Sequence, residues 1–123
     1  MYQTLRAQSA YAPSAATQTP RDIEHRAFER VNALLRRAIE ADSFPRLCEA
    51  MYENVRLWTA LAVDCASEKN GLPAPLRANI IDLANFARVH SARVQRGEDG
   101  AEALIEVNET VMKGLRAREA AAA

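Results

Sequence analysis

Two histidines, two cysteines, a cluster of arginines and two oddly placed asparagines are the residues of this chain whose type could support chemistry. His25 and His90 are candidates for a general base, but neither has an evident carboxylate or nucleophile at a spacing that would form a relay. His25 falls on the polar edge of a helical pattern. His90 lies near Leu83 and Val94, where a satisfied core histidine is the better reading. Cys48 and Cys65 fall on one predicted helix, seventeen positions apart, which at about 1.5 Å per residue separates them by roughly 25 Å, beyond disulfide reach. There is no CxxC pair, no HExxH and no glycine-rich phosphate loop, so neither a metal nor a nucleotide cofactor is expected. Glu24 is the one acid that projects into an apolar sector, and its place in a first helical turn suggests dipole stabilisation. The residues thus fail to assemble an enzyme.

Arg88, Arg93 and Arg96 lie on the exposed side of one predicted helix and could meet phosphates. No aromatic residues alternate with them, and an acidic helix follows, so a solvated helix end is favoured over a nucleic-acid contact. The asparagines are more informative. Asn54 and Asn108 each interrupt the apolar face of a different helix. A buried amide without partners costs a few kcal/mol (about 1–3), so each must be satisfied in the core or by a partner chain. A register-fixing role is favoured for at least one of them, which shifts the expected docking burden elsewhere.

The elements that would position these residues follow from composition. The chain of 123 residues is the size of one domain, and its 49% hydrophobic content, with few glycines, favours helix over sheet. Its sixteen basic and sixteen acidic residues cancel, so no global field draws it to nucleic acid or lipid. No apolar run approaches the roughly 20 residues that span a bilayer, and no secretory signal opens the chain. A soluble cytoplasmic protein without membrane insertion is expected.

The fold expected is all-α, a small bundle of four main helices with a loosely ordered N-terminal arm. Residues 1–18 form the arm, flexible or docking through its tyrosines; 19–118 the helical bundle domain; 119–123 a frayed tail. The first helix opens at Thr19-Pro20-Arg21-Asp22, with Thr19 as cap, and ends near Asp42. Its apolar positions are Ile23, Ala27, Val31, Leu34, Leu35 and Ala38, with Phe28 and Ile39 on the flank. The second opens at Ser43-Phe44-Pro45 and runs to about Ser67. Leu47, Cys48, Met51, Val55, Trp58, Ala62 and Cys65 centre its broad apolar sector, which places it in the middle of the bundle. The third follows the Pro73-Ala74-Pro75 connector, runs to about Gln95 and is closed by Gly97. Beside its main face of Leu76, Ile80, Leu83, Ala87 and Val94, a second stripe of Ile81, Asn85 and Val89 is either a docking surface or a second core contact. The fourth helix spans about 100–118, with Asp99 able to cap it and Leu104, Val107, Val111 and Leu115 as its stripe. Opposite net charges on the last two helices would orient them against one another.

Several segments resemble the FlaF family of small flagellar biosynthesis regulators. Thr19-Pro20-Arg21-Asp22-Ile23-Glu24 resembles its opening Pro-Arg motif, and Asn54-Val55-Arg56-Leu57-Trp58 with Asp64 its central Asn-x-x-Leu-Trp segment. Asn70-Gly71-Leu72-Pro73 with Arg77, then Val89-His90-Ser91, resembles the connector and third helix. Gly97 and Leu104-Ile105-Glu106-Val107-Asn108, ending at Met112-Lys113-Gly114-Leu115, resemble the final segment. The resemblance runs from about Thr19 to Leu115. It implies a non-enzymatic cytoplasmic protein that supports flagellin synthesis and secretion, engages flagellin in a chaperone-like way and acts in opposition to, or alongside, the translational regulator FlbT. The contact residues are not carried by the resemblance. Trp58, Asn54 and Asn108, with Ile81, Asn85 and Val89, are the candidates for partner binding, in a groove between the second, third and fourth helices that would receive a terminal helix of flagellin. Arg88, Arg93 and Arg96 are the candidates for the alternative, direct contact with flagellin messenger RNA. A self-associating helical adaptor is the third reading.

Overall fold

The computed structural model describes the backbone of residues 20–67 and 69–122 and the side chains of 25–67, 69–118 and 120–121. Among the described residues four helices follow in order: α1 (Pro20–Glu40), α2 (Phe44–Ala66), α3 (Ala74–Gln95) and α4 (Glu102–Ala122). No strand occurs among the described residues, so the chain is the all-α four-helix bundle expected. The arm at 1–18 and the Thr19 cap lie outside the described residues.

Each connection has a local chemical cause. Asp42 takes the left-handed conformation (φ 49°), which a short polar side chain tolerates better than most. The Asp42 and Ser43 amides then donate to Ile39 and Ala38 carbonyls at 3.0 and 3.1 Å, closing α1. Ser43 at once becomes the N-cap of α2, its hydroxyl accepting the Arg46 amide at 3.3 Å. α2 stops where Ser67 turns extended, at the boundary expected. Arg77, from the first turn of α3, donates through Nη1 to the carbonyls of Cys65 and Ser67 at 3.3 and 3.4 Å. A cation at that helix end also suits its dipole. At the third corner Gly97 supplies φ 75°, and its amide and that of Glu98 donate to Val94 and Arg93 carbonyls at 3.0 and 2.9 Å. Asp99, expected to cap the fourth helix, has its carboxylate held by Arg93 Nε at 2.6 Å, and α4 starts at Glu102. Its helical backbone continues to Ala122, past the expected boundary at Arg118, through residues dominated by alanine, the strongest helix former.

Short corners make successive helices antiparallel. α1 and α4 close the bundle antiparallel, as the Arg36–Glu109 and His25–Arg116 contacts at opposite ends show. α2 packs along both α1 and α3, the central position its broad apolar sector predicts. Two faces are rotated from their expected centres. Phe28 is not on the flank: it is fully buried, edge-on to Trp58 with ring centroids 5.2 Å apart, while Ala27 and Leu34 are half-buried. On α2 the buried sector runs through Ala50, Asn54, Leu57 and Leu61, leaving Val55 and Ala62 half-exposed. The rotation of α1 turns Phe28 onto Trp58 of α2, whose large ring contributes more on burial than any smaller neighbour.

Candidate functional site

The polar centre of the bundle is a cluster of three asparagines and the indole of Trp58. Asn32 on α1, Asn54 on α2 and Asn108 on α4 are all buried, the last two fully. Asn108 is the hub. Its Nδ2 donates to Asn32 Oδ1 at 2.8 Å and to Asn54 Oδ1 at 2.7 Å, and its Oδ1 accepts Trp58 Nε1–H at 2.8 Å. Every polar atom of Asn108 is therefore used, across three helices. The periphery is poorer. Asn32 Nδ2 reaches the Ile105 carbonyl only at 3.5 Å, and Asn54 Nδ2 has no partner at all. A buried donor left unmet costs about 1–3 kcal/mol, and this low-dielectric cluster holds register in return. The amide pair was legible in sequence; Asn32 was not foreseen, although Phe28 four residues before it and Leu35 three after frame it within the same face.

Trp58, Asn54 and Asn108 therefore sit inside the bundle, with 0% exposure each. Met51 and Met112 are also buried, so the interior between α2, α3 and α4 is filled by the chain's own side chains. Ile81, Asn85 and Val89 are all exposed, Ile81 by 39% and Val89 by 42%, so their stripe is surface and not a second core contact. Phe86, exposed by 38%, stacks on His90 with centroids 5.1 Å apart. The distribution of such residues is uneven. Among the described residues the exposed large hydrophobics are Phe44, Tyr52 and Val63 on α2 and Ile81, Phe86 and Val89 on α3; α1 and α4 carry none. At about 100° per residue, Phe44, Tyr52 and Val63 share one sector of α2, and Ile81, Asn85 and Val89 one sector of α3.

The three arginines are largely spoken for. Arg93 is paired with Asp99 at 2.6 Å and Glu98 at 3.9 Å, Arg96 with Glu98 at 2.9 Å, and Arg88 donates to Asn85 Oδ1 at 2.8 Å. The hydrogen bond from Arg96 holds the Glu98 carboxyl below its ordinary range, and that from Arg93 does the same for Asp99. The Gly97 turn has folded two acids back over two bases.

His25 differs from expectation. Its Nδ1 lies 2.7 Å from Glu29 Oε1, one turn on, and its Nε2 accepts Arg116 Nε–H at 2.7 Å. The carboxylate partner exists, and the arrangement is a tether between α1 and α4. His90 Nε2 meets the Gly100 carbonyl at 2.8 Å, binding α3 to the turn before α4. Neither cysteine forms a disulfide: Cys48 is half-buried and Cys65 buried. Among the described residues no three His, Cys, Asp or Glu side chains converge to hold a metal, and no helix is long and apolar enough to cross a membrane.

Fold and surface together define a small four-helix bundle with an amide core and, among the described residues, an apolar exterior confined to two helices. Residues 7–115 match the family model of FlaF, flagellar protein FlaF, and the chain belongs to that family. The match begins twelve residues before Thr19, where the resemblance of individual motifs starts. No significant match exists among curated proteins or among solved structures. The chain is thus a flagellum-related protein.

Proposed function

We propose that this FlaF-family chain binds flagellin in the cytoplasm in a chaperone-like way, and so supports flagellin synthesis and secretion together with FlbT. The observation that carries the reading is that, among the described residues, exposed large apolar side chains are confined to α2 and α3. Isolated exposed hydrophobics mean little, but aligned ones on two adjacent helices suit the apolar ridge of an amphipathic helix. The docking surface is this exterior, centred on Ile81, Asn85 and Val89, with Phe44, Tyr52 and Val63 on the neighbouring helix. Asn54, Asn108 and Trp58 serve it indirectly, by fixing the register in which α2 is presented.

Direct messenger contact through Arg88, Arg93 and Arg96 is the weaker reading, because Glu98 and Asp99 offset the charge of two of the three. Co-purification tests the proposal. Flagellin should be retained by the unmutated chain and lost with Ile81→Asp/Val89→Asp, at unchanged helicity. Retention that survives this variant, or no retention by either protein, would reject the surface. Dimerisation abolished by the same variant, with no flagellin bound, would return the face to self-association.

A further inference from the structure

A second surface lies on the other flank of α2. Between α1 and α2 runs an open trough of about 790 Å³. Small and apolar side chains from both helices line it: Leu34 and Ala38 come from α1, Cys48 and Ala50 from α2. Ala38 and Ala50, one on each helix, keep the side chains there short, so a third helix can approach closely, as a ridge enters a groove. Its rim is charged. Arg30 and Arg37 stand on α1 and Arg46 on α2, with Glu49 and Glu53 between them. Glu53 is already shared by Arg30 at 3.7 Å and Arg56 at 3.2 Å. Arg37 and Arg46 are exposed and have no ion pair among the described residues. Three arginines thus line the trough against two glutamates, in a chain whose overall charge is zero.

We infer that the α1–α2 trough is a docking site for an amphipathic helix of a partner protein, one whose apolar ridge is flanked by carboxylates. The ridge would lie over Ala38 and Ala50, and its carboxylates would meet Arg37 and Arg46 from either side. A helix fits better than a small molecule because the trough is open to solvent and its walls are themselves two helices. The excess positive charge selects sign and speeds encounter more than it adds affinity. The site shares only the edge at Tyr52 with the α2–α3 exterior, so it stands or falls separately from flagellin binding there.

The test uses the full chain and two synthetic helical peptides with the same leucine ridge, one flanked by glutamates and one by lysines. Fluorescence anisotropy reads affinity, and alkylation of half-buried Cys48 reads occupancy, since Cys65 is only 1% exposed. The glutamate peptide is expected to bind at least tenfold more tightly and to slow Cys48 alkylation severalfold. Arg37→Glu/Arg46→Glu should reverse the preference while leaving the circular dichroism spectrum unchanged. Ile81→Asp/Val89→Asp should change neither reading. Equal affinity for the two peptides, unaltered Cys48 alkylation, or displacement of the glutamate peptide by an RNA oligonucleotide would overturn the assignment.

Discussion

Asn108→Ala and Asn54→Ala delete partners in the same hydrogen bond, yet the structure predicts very different costs. Removing the Asn108 amide leaves Trp58 Nε1–H, Asn32 Oδ1 and Asn54 Oδ1 without their partner, all in a buried site. At about 1–3 kcal/mol for each unmet group, offset in part when Asn54 Nδ2 turns towards Asn32, the net loss is about 4 kcal/mol. Removing the Asn54 amide strands only one N–H of Asn108, and it also deletes a donor that is already unmet. What remains is chiefly a small cavity, at about 1–2 kcal/mol. Against a total stability of about 5–15 kcal/mol the gap of about 2–3 kcal/mol is easily resolved. Urea denaturation followed by far-ultraviolet circular dichroism, and by the emission of the chain's single tryptophan, gives both values. The double variant should cost less than the two single losses added, because the sites share a bond. Equal costs, or a larger one for Asn54→Ala, would refute the assignment of Asn108 as hub.

Three further outcomes follow from the corners and core. Trp58→Phe keeps an aromatic ring near Phe28 but leaves Asn108 Oδ1 unmet and the site underfilled, so it should cost about 2–3 kcal/mol in the same denaturation assay. Gly97→Ala forces a side chain into φ 75° and should cost about 1–2 kcal/mol, read as a lower melting temperature. Glu98 and Asp99 have depressed folded-state pKa values, so their contribution is fully present above the ordinary 4.5 and 3.8 and is lost as pH falls through the lower folded values. Carboxyl NMR titration should therefore show both midpoints below those figures, and Arg93→Ala should move Asp99 back up; an unmoved midpoint would contradict the pairing.

The helices were legible because their signals are local. Ser43-Phe44-Pro45 and Gly97 state a start and a stop within a few residues, and the stripe through Leu104 and Leu115 repeats at helical period. Asn54 and Asn108 stood out because each breaks such a stripe. Asn32 is not evident from periodicity, because an α1 face centred on Ala27, Val31 and Leu34 leaves Phe28 on its flank and draws no attention to the asparagine one turn on. Only the demand of Trp58 for a neighbouring ring rotates that helix correctly. The neutralisation of Arg93 and Arg96 was also hidden, since Glu98 and Asp99 meet them only through the left-handed turn at Gly97. The α1–α2 trough depends on the distance between two helices whose side chains line it together. No periodicity within either helix contains that distance.

Amide hydrogen exchange of the chain with and without purified flagellin tests the proposed function most directly, because it locates the footprint without altering a residue. Added protection is expected within residues 78–92 of α3 and 52–63 of α2, with little change along the α1–α4 seam. Protection confined to α1 and α4, or none at saturating flagellin, would contradict the account.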